Sequence, residues 1–243
     1  MARIMKLIPF LLLLNCMFFN SVFSQEIPFY IPSHGLVGWW PFNGNTDDES
    51  LNGNSGINHG CELTTDRFGI ENSAYYFDGI YNYIEVEIQN NSLQLKNNFT
   101  ISVWANIKFN PNNNQVLISK GDKSSNEYVL GCSNEGYLFI NNNDAPAAGL
   151  VNFKNHFNNW TNIIYVFKNG LVLLYINGKQ IASYPVIEPI LPSSLSLIFG
   201  ALFGIGTNTP VKGSYFNGEL DDIAIWNIDL DENEIKNVYS SGE

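Results

Sequence analysis

The chain is predicted to be an all-β protein of antiparallel strands with one short helix at its C-terminus. Three observations carry that expectation. Short apolar and aromatic runs with a period of two recur along the 243 residues, polar turn clusters separate them, and Asn-Gly pairs join the most legible ones. Strands spaced in this way, without helical periodicity between them, form sandwiches or barrels rather than βαβ units. With 45% hydrophobic and 14% aromatic residues the chain can fill a sizeable core, and its length after the first two dozen residues suits a single all-β domain.

Residues 1–24 are expected to be a signal peptide rather than part of the fold. Arg3 and Lys6 supply a basic start, Leu7–Phe19 is almost wholly apolar, and Val22-Phe23-Ser24 precedes Gln25 at a plausible cleavage point. Cys16 follows Asn15, where a lipidation motif would place a small residue. The reading is an exported protein, secreted or at the cell surface, with the periplasm as the alternative compartment and no transmembrane segment after cleavage. Removing residues 1–24 leaves ten Lys and Arg against 23 Asp and Glu, a net charge of −13. That sign argues against nucleic acid and anionic lipid as partners, since both are held through Lys and Arg.

Residues 25–35, QEIPFYIPSHG, form a leader with two prolines, and residues 36–243 make the domain. Leu36–Phe42 is the first expected strand, with Pro41 marking its end. The following stretch to Gly56 is rich in Asn, Asp, Ser and Gly, and its Asp47, Asp48 and Glu49 read as a solvated acidic turn. Asp78-Gly79, between two aromatic-rich runs, is a hairpin signal. Phe99–Phe109 alternates over most of its length, and VLISKGD, EYVLGC and YLFI are further short strands. Three strands joined at Asn169-Gly170 and Asn177-Gly178 come next, then LSLIFGALF and GELDDIAIW. The helix begins at a capping box, Asp231 with Glu234, docks through Ile235, Val238 and Tyr239, and ends before Gly242.

The stretch Phe216–Trp226, FNGELDDIAIW, places two adjacent carboxylates in a strand. Regular alternation sets Asp221, Ile223 and Ile225 on one face and Asp222, Ala224 and Trp226 on the other. One carboxylate then faces the interior and needs a partner. Asp221 is expected to be that residue, and Asp222 the dispensable one. Cys61 and Cys132 form either one disulfide or two separate thiols, while His34, His59 and His156 are too scattered for a zinc site.

Taken together, GLVGWWPFNGNTDDES, AYYFDGIYNYIEV, FTISVWANI, WTNIIYVFKNG with LYINGKQIAS, and GELDDIAIWNIDLDENEIKNVYSSG resemble the laminin G-like, concanavalin A-like domains of secreted bacterial proteins, over roughly residues 35–242. The resemblance implies an antiparallel two-sheet jelly-roll sandwich with the first and last strands as neighbours. It also implies a binding module, often with a structural calcium ion, whose ligands here would be Asn43, Asp78 and Asp221. Laminarinase-like enzymes share the fold, but their acidic strand motif is matched only by Glu85 and Glu87, with Asn90 or Asn91 at the third acidic position, so no enzymatic activity is expected. Trp40, Trp104, Trp160 and Trp226 are expected in the core. Trp39 must face the opposite way from Trp40 and is the candidate for exposure. With Phe153, His156, Phe157 and Tyr215, in the loops 141–159 and 203–215, it makes up the candidate ligand-binding set. The function expected is a non-catalytic binding module for a glycan or extracellular protein. The alternatives are a structural or adhesive component of a surface assembly and, third, a glycoside hydrolase.

Overall fold

The computed structural model describes residues 26–121, 127–140, 151–185, 193–205, 207 and 209–240. The signal-peptide segment, Gly242 and the first part of the 141–159 loop lie outside the described residues. Two antiparallel sheets face each other, as expected. The first contains, in spatial order, strands β13 (Lys179–Pro185), β12 (Leu171–Ile176), β11 (Thr161–Lys168), β6 (Phe99–Ile107), β15 (Asn217–Trp226), β4 (Ala74–Asp78) and β3 (Glu62–Thr64). Strand β1 (Leu36–Trp40) pairs with the C-terminal half of β15, beyond the part that pairs with β4. The second sheet runs β10 (Val151–Asn152), β9 (Tyr137–Ile140), β8 (Val129–Cys132), β7 (Gln115–Lys120), β14 (Leu197–Phe199), β5 (Tyr83–Val86) and β2 (Ile57–His59).

The inner faces of the sheets form the main core, with Trp40, Phe77, Ile84, Phe99, Val103, Leu117, Tyr165 and Phe199 among its buried residues. A second apolar layer lies on the outer face of the first sheet. There Ile31 of the leader, Leu36, Trp39, Ile164, Val166, Ala224 and Trp226 pack with Ile235 and Val238 of helix α1 (Glu232–Tyr239). Strand β11 is therefore covered on both faces, which explains why IIYVF is a continuous apolar run rather than an alternating one. The capping box forms as expected, Asp231 accepting from the Asn233 and Glu234 amides and Glu234 accepting from the Asp231 amide.

The two Asn-Gly turns form the hairpins β11–β12 and β12–β13, each with both central residues at positive φ. Asp78-Gly79 does not. Strands β4 and β5, which flank it, belong to different sheets, so this turn is a crossover between layers. Its geometry is set by Asp78, whose carboxylate accepts from the Ile80 and Tyr81 amides at 2.8 and 3.1 Å. A local turn signal reports a reversal of the chain, and the hydrogen-bonding partner beyond it is a tertiary choice. Cys61 and Cys132 are both buried and free, so the two-thiol alternative holds. Among the described residues no helix is long and apolar enough to cross a membrane.

Candidate functional site

The irregularity in β15 is where the site begins. Against β6, Asp221 pairs with Trp104 and Ala224 with Ser102, so three steps on β15 face two on β6. One residue is extra, and Asp222 takes it up at φ 43°. The bulge resets the alternation: Leu220 and Ile223 both enter the inter-sheet core, although a regular strand would send them to opposite faces. It also turns both carboxylates outward on the same side.

What receives them is Arg67, the single arginine after residue 24. It sits in the connection between β3 and β4, in a turn tied by Asp66, whose Oδ1 accepts from the Phe68 and Ile70 amides at 2.8 Å each. Arg67 Nη1 donates to Asp221 Oδ2 at 2.5 Å and Nη2 to Asp222 Oδ2 at 2.7 Å. The guanidinium lies between the Phe68 and Trp104 rings, 4.3 and 4.6 Å from their centroids. Asp222 Oδ1 also accepts from Trp39 Nε1 at 3.3 Å. Only 6% of the Arg67 side chain is exposed, with 3% of Asp221 and 12% of Asp222.

Burial pushes both carboxyls above the ordinary range, Asp221 well above. The Asp222 charge adds to the rise of Asp221, and Arg67 pulls both down. The same field reaches outward. Burial first and then the Asp222 charge push the Tyr30 hydroxyl up to about 12, with Arg67 opposing. Glu49 is raised by burial and by Asp47, Asp222 and Asp48.

Above this cluster lies a recess of about 160 Å³, lined by Tyr30, Trp39, Asn43, Asp66, Arg67, Phe68, Asp221 and Asp222 and edged by prolines. Phe68 is 48% exposed at its rim. Arg67 Nε is buried and has no acceptor. Charge and aromatic rings thus meet at one concave place.

The expected site residues fall in four places. Asn43 and Asp221 share the recess. Asp78 does not: it pairs with Asn217, four residues along β15 from Asp221 and so roughly 13 Å away at strand rise. Its carboxylate is engaged by its own turn. Among the described residues no group of three or more His, Cys, Asp or Glu is disposed to hold a metal ion. Asn43, Asp78 and Asp221 therefore do not fit one calcium ion. The partner that Asp221 needed is a guanidinium, and Asp222, expected to be dispensable, is the other half of the pair.

Trp39 faces away from Trp40 as alternation requires, yet it is 1% exposed, because leader and helix cover that outer face. Trp40 and Trp226 are buried as expected, whereas Trp104 and Trp160 are half-buried. Phe153 is buried, with His156 and Phe157 packed on it, and Phe157 also meets Phe109. Tyr215 is half-buried beside Phe203 and Tyr83, on the outer face of the second sheet. On that face His59 stacks on Tyr83 with centroids 4.4 Å apart, and Ser196 Oγ donates to Glu85 Oε1 at 2.8 Å. Glu87 is exposed. The acidic turn is less solvated than expected: Asp48 accepts from the Trp39, Ser50 and Asn54 amides, pinning the loop to β1.

Arg67, Asp66 and Asp222 are the residues that sequence reasoning missed. The signal available for Arg67 was its rarity, a lone arginine in an acidic chain, within a turn that no strand pattern claimed.

A family model of the concanavalin A-like lectin/glucanases superfamily matches residues 78–236. No curated protein matches the chain in sequence. Among solved structures, a Trypanosoma rangeli sialidase is similar at 15% identity and a TM-score of 0.65, over 87% of this chain and 33% of the sialidase, so the chain spans about a third of that enzyme. The binding domain of botulinum neurotoxin DC, in complex with SialylT, is similar at 19% identity and a TM-score of 0.65, over 86% of this chain and 52% of that one. Domain 4 of AbnA, an extracellular GH43 arabinanase from Geobacillus stearothermophilus, in complex with arabinotriose, is similar at 16% identity and a TM-score of 0.62, over 84% of this chain and 98% of that domain.

Proposed function

The chain belongs to the concanavalin A-like lectin/glucanases superfamily, and from that premise we propose that it is a non-catalytic glycan-binding module of an exported protein. The recess over Arg67 is the observation that carries this reading. A sugar hydroxyl can donate, and the recess offers acceptors in the carboxylates of Asp66, Asp221 and Asp222. The exposed face of Phe68, with Tyr30 beside it, supplies the apolar surface on which a sugar ring stacks. At about 160 Å³ the space suits one sugar unit at a chain end rather than a long oligosaccharide. The sugar-bound neurotoxin and arabinanase domains support the class, because they use the same fold.

The carboxylates support binding rather than hydrolysis. Those of the recess are held by Arg67, Trp39 and backbone amides, an arrangement that fixes acceptors in place. Retaining and inverting glycosidases need one carboxyl free to act as acid beside a second acting as nucleophile or base. Glu85, the other candidate, is engaged by Ser196.

A glycan array probed with the chain lacking residues 1–24, followed by calorimetry on the hits, tests the reading. Saturable binding that Phe68→Ala reduces about five- to tenfold is the expected result, the loss of one stacked ring being worth about 1–1.5 kcal/mol. Phe68 is half-exposed, so the fold should survive its removal. Release of reducing sugar from β-glucans or arabinans, lost in Glu85→Gln, would return the chain to the enzymes. No binding to any glycan would favour a structural or adhesive role.

A further inference from the structure

We propose that the recess selects glycans with an uncharged terminal unit and rejects those ending in a carboxylate, an inference that rests on the glycan-binding reading above. The argument is one of charge and of donor number. One guanidinium faces three carboxylates, Asp66, Asp221 and Asp222, in the lining of the recess. With Asp221 protonated one negative charge remains uncompensated, and with it ionised two remain. Glu49, in the loop with Asp47 and Asp48, lies close enough to Asp222 for their charges to interact, and it adds to the same sign.

The cationic group in the lining is turned toward its own carboxylates. Both terminal nitrogens of Arg67 are engaged by Asp221 and Asp222, its guanidinium is packed between Phe68 and Trp104, and only 6% of its side chain is exposed. A carboxylate is bound well by the two parallel donors of an arginine fork, and a guanidinium so buried does not present one to the recess. A sugar hydroxyl, by contrast, can donate to the carboxylates of the lining. Between neutral and acidic sugars the chemistry therefore points to a neutral, hydroxyl-bearing end unit. In this the chain differs from the sialylated ligand named for the neurotoxin domain of the same fold.

At roughly 6 Å in a water-like medium each uncompensated charge weakens binding of a ligand carrying one negative charge by about threefold, and two by about tenfold. The test uses neutral galacto-, gluco-, manno-, xylo- and arabino-oligosaccharides on one array, with sialylated forms of the galacto series, and calorimetry on each bound pair. Neutral forms are expected to bind about three- to tenfold more tightly than their acidic counterparts. Asp66→Asn, which keeps the Oδ1 acceptor of the turn while removing a charge, should narrow that gap severalfold. Equal or tighter binding of the sialylated forms, reduced by Phe68→Ala, would overturn this inference and leave the glycan-binding reading intact. Binding that is insensitive to Phe68→Ala would place the ligand elsewhere and overturn the inference. Failure of every member to bind would remove both readings.

Discussion

Replacing Arg67 by alanine should destabilise the fold by about 3–5 kcal/mol, the range for removing one partner of a buried ion pair. The figure needs no reduction for solvent screening, because the guanidinium is 6% exposed and the carboxylates hardly more. For a domain of this size each kcal/mol moves the melting temperature by about 2–4 °C, so a fall of about 6–20 °C is expected. The loss should depend on pH in a defined sense. Both carboxyls lie above their ordinary range in the folded protein, so the native state binds their protons more tightly than the unfolded chain does. Stability from these groups is therefore present at low pH and lost as pH rises from the ordinary carboxylate range, about pH 4, through the raised values. Arg67 counteracts that loss by pulling both values down, and without it the window widens. The deficit of Arg67→Ala should be largest near neutral pH and shrink on acidification, measured by thermal melts across a pH series. Arg67→Lys, which keeps the charge but not the fork that spans two carboxylates, should recover only part of it. A variant that melts within about 2 °C of the parent at pH 7, or a deficit that grows on acidification, would contradict this.

Calcium should leave the melting temperature unchanged, and so should its removal by a chelator, because the cation facing Asp221 is Arg67. A rise of about 5 °C or more with excess calcium would restore the metal to the account. Lys120 is fully buried, donating to Glu127 and to the Ser193 and Leu195 carbonyls at 2.9–3.1 Å. Lys120→Met should cost about 3–5 kcal/mol in urea denaturation, and adding Glu127→Gln should recover much of it, since the stranded charge is then removed. The two thiols should be inert to a thiol reagent in the native protein and both react after denaturation. Burial pushes Cys132 up to about 12 and Cys61 higher still, with the Asp78 charge adding to the latter. No thiol titre after denaturation would indicate a disulfide instead.

The fold was legible in the sequence because its signals are local. The Asn-Gly hairpins, the capping box and the alternation of β6 each depend on residues within a few positions of one another. The pairing of β1 with β15 came from the family resemblance and holds. Expectations failed where a tertiary partner decides the outcome. Asp78-Gly79 is a turn, but which sheet receives the next strand is not written in the turn. Trp39 points away from Trp40, but whether that face meets water depends on the leader and α1 folding over it. The assignment of Asp221 and Asp222 to opposite faces assumed an unbroken period of two, and one extra residue at positive φ defeats it. Alternating sequence does not announce a bulge unless a glycine marks it, and here an aspartate takes the position. Of the site, Asp221, Asn43 and the need for a cationic partner could be read. The identity of that partner, 154 residues away in the chain, could not.

The most direct test of the central claim is to follow the indole N–H signals of the protein by NMR while a neutral oligosaccharide that binds on the array is titrated in. Trp39 Nε1–H donates to Asp222 beneath the recess, whereas Trp40 Nε1–H donates to the Asn54 carbonyl and Trp226 Nε1–H to the Pro32 carbonyl, both outside its lining. Occupancy of the recess predicts a saturable shift of the Trp39 signal with the affinity found by calorimetry, while the Trp40 and Trp226 signals stay in place. Saturable binding with an unmoved Trp39 signal would contradict the account.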